Sequence, residues 1–228
     1  MPNGELTSDT QARIYLQPIA APSILGLYGL AGATFIVAAH MAHWFGDSTT
    51  SLYLFPFAAI FGGLAQFLAG MWAYKARDGV ATAIHGMWGS FWMAYGVLNL
   101  IFAVGKLTPP TGAWPEIGFW FVVLAAITWV SVAAAAAQNR GLVTMLTFLA
   151  AGSTTAAIGE FLGLEWLMIL TGWLFVIAAV AAWYTASALM LEEAFGRELW
   201  SLGKSKLLKQ MPSVSTGAGE PGVIRGQA

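Results

Sequence analysis

The chain has 228 residues, 58% of them hydrophobic and 9% charged, with a formal net charge of −1 and no cysteine. That charge offers no basic surface for nucleic acid. The absent thiols exclude a disulfide framework, a thiolate catalyst and thiolate metal sites. So apolar a composition reads as a membrane protein, with room for one helical bundle and no separate soluble domain.

Residues 1–18 form a polar lead. Glu5, Asp9 and Arg13 fall within it, and no basic segment runs straight into an apolar one, so it does not read as a secretory signal. Pro22 is placed to open a first helix, because proline is tolerated in a first helical turn. Six apolar stretches follow in order: Ile24–His43, Leu52–Tyr74, Val80–Gly105, Trp114–Ala137, Leu142–Leu162 and Trp166–Leu191. Each approaches or exceeds the roughly 20 residues that a helix needs to cross a hydrocarbon core. The connections between them are short, so neighbours run antiparallel. The predicted fold is an all-α membrane protein, a six-transmembrane-helix up-and-down bundle over 19–202. Beyond Leu191, the spacing of Leu191, Phe195, Leu199 and Leu202 suggests an amphipathic turn or two along the membrane surface. The remaining tail, 203–228, reads as disordered.

With an even number of spans, both tails and the second and fourth connections share one side. That side holds Arg13, Lys75, Arg77, Arg140, Arg197, Lys204, Lys206, Lys209 and Arg225, nine of the ten basic residues, against Lys106 opposite. Both termini are therefore predicted to be cytoplasmic. Trp44, Trp114 and Trp166 at outer ends, with Trp72, Tyr74 and Trp200 at inner ends, suggest two aromatic belts at headgroup level. Small residues recur at four-residue spacing, at Ala65, Ala69 and Ala73 and again at Gly86, Ser90 and Ala94. Such faces let helices approach closely, within a subunit or between subunits.

Polar residues at membrane depth mark candidate functional positions. The helices hold no charged relay of the kind a pump requires and no lysine for a retinal. Glu160 is predicted near the outer surface, about 30 Å along its helix from Arg140. His40 and His43 share a spacing that could begin a metal site, but only Asp47 is near to complete it, so no metal or other cofactor is expected. His85 reads as a packing or headgroup residue. Gln66 sits in an apolar run, where a neutral amide could hold a small anion or acid, or pair with a neighbouring helix.

That run, Phe61 to Gly70 (FGGLAQFLAG) followed by Tyr74-Lys75, resembles the second-helix signature of the acetate uptake transporter family, also called the succinate–acetate permease or YaaH-type family. Further pieces fall in order. Ala21 to Leu27 (APSILGL) is similar to the family's Asn-Pro-Ala-Pro-Leu-Gly-Leu motif. Gly89 to Trp92 (GSFW) is similar to its third helix, Gly172-Trp173 to the opening of its last helix, and Glu193 to Arg197 (EAFGR) to the close of that helix. The resemblance spans roughly residues 20–204.

It implies a six-helix protomer assembled as a ring-shaped homo-hexamer in the cell membrane, each protomer carrying its own pore for acetate and related carboxylates, with protons as a further partner. It implies an apolar constriction carried by Leu30, Trp88 and Leu149, and substrate contacts at Pro22, Leu25, Gly26, Thr34, Gln66 and Ser90. The residue count agrees with a constriction. Leu30 lies eight residues past Pro22, Trp88 eight past Val80 and Leu149 nine past Arg140, so all three stand about 12–14 Å deep. The family more often has Phe and Tyr at the positions of Leu30 and Trp88. Ala21, Ile24, Ala73 and Leu189 replace an Asn, a Pro and two carboxylates, and Glu160 replaces an amide. The function expected is a permease or channel, not an enzyme, for acetate and possible relatives such as succinate. A channel for formate, lactate or ammonia, or a non-transporting membrane sensor or assembly protein, are the other readings.

Overall fold

The structure, a computed structural model, describes residues 19–205 except 48 and 106, together with 215–216 and 224–225. The polar lead and most of the tail expected to be disordered lie outside the described residues. Six helical rods run in chain order: α1 (Pro22–Met41), α2 (Thr50–Ala76), α3 (Gly79–Ala103), α4 (Pro115–Ala135), α5 (Arg140–Leu162) and α6 (Glu165–Phe195). Their bounds differ from the predicted spans by a few residues at the ends. Pro22 opens α1 in its first turn. Asp78 caps α3 by accepting from the Ala81 amide at 3.0 Å, and Asn139 caps α5 by accepting from Leu142 at 2.9 Å. Gly163 ends α5 at φ +63°, a conformation that glycine adopts without a Cβ penalty.

The rod α2 is not uniform. It is α-helical over Thr50–Ala58, π-helical over Ala59–Ala65 and α-helical again over Gln66–Ala76. Pro56 lies inside the first part and removes one amide donor just before the wider turn. Glycines bring neighbours against that turn. A Cβ on Gly62 would stand 2.7 Å from the Ala33 Cβ, and one on Gly29 would stand 2.4 Å from the Phe61 carbonyl oxygen. Of the two small-residue faces, that of Ala65, Ala69 and Ala73 packs within the protomer, with Ala69 and Ala73 buried, whereas Ser90 and Ala94 line an open lateral groove.

Each rod packs on the next, and α6 returns against α1, so the six close a ring. The α3–α4 seam is the loosest. Five rods are long and apolar enough to cross a membrane. The exception is α3, which has 25 residues and no Asp, Glu, Lys or Arg, but whose His85, Asn99, Tyr95 and glycines make it less apolar. The outer face carries large exposed apolar side chains on α2 and α4, with Tyr53 and Val130 each 72% exposed. An apolar surface of that extent belongs in lipid. The protein is a membrane protein.

Trp114 is half-buried at the start of α4 and packs against Phe102. Two expectations are corrected here. No amphipathic helix follows α6; Gly196 ends it at φ +64° and the chain turns back as a strap. Disorder does not begin at Gly203: Gly203 and Leu202 carbonyls accept from the Arg140 and Gly141 amides, Ser205 donates to Gln138, and Leu202 is buried. Ser215–Thr216 and Ile224–Arg225 also pair as a short antiparallel ladder.

Candidate functional site

The end of the ring where α1 begins and α6 ends is called proximal below, and the opposite end distal. Leu30 on α1, Trp88 on α3 and Leu149 on α5 are fully buried members of one apolar cluster. They stand eight or nine residues from the proximal starts of their helices at Pro22, Gly79 and Arg140, hence at a common depth of about 12–14 Å. Trp88 is held in place. Its Nε1–H donates to Thr128 Oγ1 at 3.1 Å, that hydroxyl donates to the Leu124 carbonyl, and the indole meets Phe91 and Phe175 edge-on.

On the distal side of this level lies a cavity of about 380 Å³. It reaches from Ser51, Pro109 and Trp114 near the mouth to Thr34, Trp88 and Trp92 at its floor. Thr34 is 2% exposed and Trp92 4%, yet neither Thr34 Oγ1 nor Trp92 Nε1 has a hydrogen-bond partner. That is unusual within this molecule. The buried hydroxyls of Thr128, Ser153, Thr171 and Thr185 all donate to the carbonyl four residues back, the ordinary way to satisfy a hydroxyl inside a helix. A buried donor left unpaired is unfavourable by about 1–3 kcal/mol and calls for an explanation. Both residues line one cavity, and their two polar atoms are themselves closed to solvent.

On the proximal side, among the described residues, a cavity of only about 20 Å³ is lined by Leu27, Ile84, His85, Met145, Leu146 and their neighbours. Leu27, Ile84 and Met145 with Leu146 sit one turn proximal to Leu30, Trp88 and Leu149 on the same three helices.

Other candidates lie off this axis. Gln66 is fully buried, but its Nε2–H donates to the Gly62 carbonyl at 2.7 Å and its Oε1 lies 3.4 Å from His85 Nδ1. Of its two readings, the structure supports helix pairing. Gly26 is where His85 packs, since a Cβ there would fall 2.5 Å from the imidazole. Ser90 donates to the Gly86 carbonyl at 2.8 Å and faces a separate, lateral groove between α3 and α4. Leu25 is 49% exposed and lines neither axial cavity; Pro22 is a half-buried helix start. His40 Nδ1 lies 3.0 Å from the Phe45 carbonyl, and the exposed His43 lies 3.8 Å from Glu165. In the α1–α2 turn, hydrogen bonds from Thr49 hold the Asp47 carboxyl below its usual range.

The sequence reading missed Trp92, Tyr95 and Asn99 as cavity residues. Trp92 closes the GSFW motif, which was the one signal available for it. Glu160, expected near the outer surface, lines the distal cavity.

A ring of six apolar helices, with one cavity on each side of a buried apolar level, defines a class of helical membrane protein. Residues 3–195 match the GPR1/FUN34/yaaH family, and the chain belongs to it. It is 26% identical over 189 residues to the succinate-acetate/proton symporter SatP of Escherichia coli K12, covering 82% of this chain and 97% of that protein. It is 27% identical over 141 residues to ammonia transport outward protein 3 of Saccharomyces cerevisiae, covering 61% of this chain and 50% of the other. Its fold matches a solved structure of the bacterial acetate channel SatP with a TM-score of 0.75 and 24% identity, over 82% of this chain and all of that one.

Proposed function

We propose that the protein is a permease that moves acetate and related small carboxylates, succinate among them, through a pore in each protomer. The observation that carries this reading is the pair of unpaired donors, Thr34 Oγ1 and Trp92 Nε1, at the floor of the distal cavity. A carboxylate accepts from both. Hydrogen bonds to a charged group in a poorly hydrated pocket are about twice as strong as neutral ones. The substrate then meets the apolar level of Leu30, Trp88 and Leu149. A bare inorganic ion must shed its water there without replacement, whereas the methyl group of acetate is at home. Passage as the neutral acid lowers that barrier further. Similarity to a succinate-acetate/proton symporter supports both the substrate class and a link to protons.

The remaining features follow from the same reading. The protein sits in the cell membrane as a multi-pass bundle whose sixth span is α3, with both termini cytoplasmic because nine of the ten basic residues fall on their side. Protomers assemble as a homo-hexamer, each with its own pathway. Residues 19–202 form the transporting unit.

A neutral solute such as ammonia is the second reading. It is favoured by the Glu160 carboxylate in the distal cavity, which repels anions, and by the similarity to an ammonia transport protein. Uptake of labelled acetate into liposomes containing the purified protein, with and without a pH gradient, tests the proposal. Uptake above protein-free liposomes is expected, enhanced by an inward proton gradient and competed by succinate. Uptake equal to that of empty liposomes overturns it, and competition by ammonia alone favours the second reading.

A further inference from the structure

The distal cavity contains a group that the acetate pathway does not obviously want. Glu160, in the last turn of α5, is half-buried and lines the same cavity as Thr34 and Trp92. Among the described residues its carboxylate makes no hydrogen bond or ion pair, and no lysine or arginine lines the cavity. A carboxylate held there unneutralised faces the path of any incoming anion. Its cavity also holds Thr34 and Trp92, the two donors that await an acceptor.

Other titratable groups must be weighed before charge is assigned to one residue. His40 of α1 and Tyr95 of α3 line the cavity with Glu160. The first turn of α4 contributes Glu116, and that of α6 contributes Glu165, which lies beside His43; neither lines the cavity. His40 is engaged with the Phe45 carbonyl. Tyr95 stacks on Phe91 and meets Phe55 edge-on. None of these supplies a fixed positive charge to cancel that of Glu160.

Resting on the transport reading above, we infer that Glu160 is the specificity-determining charge filter of the distal cavity. When it is ionised, carboxylate anions are repelled and only the neutral acid reaches Thr34 and Trp92. When it is protonated, the anion enters past an uncharged carboxyl. While Glu160 is ionised, each carboxylate that enters brings one proton, carried on the substrate; while Glu160 is protonated, the anion enters without one. Proton linkage then arises at the mouth in the ionised state, with no titratable relay across the membrane.

The test is labelled acetate uptake into liposomes by the full chain and by Glu160→Gln, from about pH 5 to about pH 8, a range in which acetate is mainly anionic. The glutamine keeps the shape and removes the charge. The difference between the two proteins is expected to narrow towards the acid end, where more of Glu160 and more of the acetate is protonated. Uptake by Glu160→Gln is expected to exceed the wild type about tenfold at the alkaline end, the effect of one unit charge in a partly wet cavity. Glu160→Asp, which keeps the charge, is expected to follow the wild-type profile. If the glutamine protein is not recovered, salt serves instead. Raising ionic strength screens the charge and is expected to raise wild-type uptake at the alkaline end several-fold while leaving the acid end alone. Superimposable pH profiles for wild type and Glu160→Gln, or wild-type uptake indifferent to salt, overturn this inference alone. Uptake by neither protein above empty liposomes overturns the transport reading and this inference with it.

Discussion

The two halves of the axis are built from the same six rods and behave as opposites. The distal half holds a cavity of about 380 Å³ lined by Thr34 and Trp92, whose buried polar atoms are unpaired. Among the described residues, the cavity on the proximal side of the axis is about 20 Å³, and its polar groups are engaged: His85 with Gln66, Gln138 with Asp78, Asn139 with the α5 start. On the pathway proposed above, the difference puts the barrier in the proximal half. A single collar of Leu30, Trp88 and Leu149 would leave space on both sides. Instead a second apolar layer of Leu27, Ile84, Met145 and Leu146 is stacked one turn below it, and on that proposal the two act as a plug. A solute taking the proposed route past Thr34 and Trp92 would cross both layers.

The sharpest way to break this contrast is to open the plug. Leu149→Ala or Leu146→Ala alone leaves one layer intact and is expected to raise acetate uptake per folded protein less than about threefold. The double variant is expected to raise it about tenfold or more and to admit chloride, because water can then follow the ion through. Liposome uptake of labelled acetate and chloride measures both. Equal effects of one and two substitutions would mean that the collar acts by itself.

The next largest effect concerns the distal floor. Thr34→Val and Trp92→Phe each remove one unpaired donor and little volume. Each is expected to weaken half-saturation for acetate about tenfold, the worth of one hydrogen bond to a charged group. Concentration dependence of uptake reads the change. Thr34→Ser, which keeps the hydroxyl, is expected to restore affinity; failure to do so would show that the residue packs rather than binds.

These contrasts were only partly open to the sequence. Rod positions were legible because helix length and apolarity are local properties, and the common depth of Leu30, Trp88 and Leu149 followed from counting residues from helix starts. The π turn in α2 was not, since it depends on how Ala33, Phe61 and Trp92 crowd Gly29 and Gly62 across helices. Gln66 and Ser90 looked functional because polar residues in lipid are costly. Their side chains instead donate to carbonyls four residues back, a solution that composition cannot reveal. Trp92 went unnoticed for the converse reason. An indole reads as apolar filling until the surrounding helices are in place and its N–H is found without an acceptor.

Gln66→Leu comes next in size. Its amide satisfies the Gly62 carbonyl at the π turn and touches His85, both away from the axial cavities. The substitution removes a side-chain donor from that carbonyl and leaves the buried His85 without its Gln66 partner, and is expected to destabilise the protein by about 1–3 kcal/mol. Thermal unfolding in detergent measures this, with acetate affinity unchanged. A loss of affinity at unchanged stability would return Gln66 to the pathway and weaken the contrast drawn between the halves.

The smallest effect expected lies at the proximal rim. Lys204 pairs with Glu192 and lies 3.8 Å from Glu198, each carboxylate about a third exposed, as Lys204 is. Ion pairs of that exposure contribute under about 1 kcal/mol. The strap, however, is held by backbone bonds from Arg140, Gly141 and Ser205 and by buried Leu202. Lys204→Ala is therefore expected to leave both unfolding temperature and acetate uptake within error of the wild type. If proximal closure depends on the strap's charge rather than on the apolar plug, the same substitution raises uptake at low salt and not at high salt. A salt series on Lys204→Ala thus decides whether the tight half of the axis is sealed by packing, as the second apolar layer implies, or by an electrostatic latch above it.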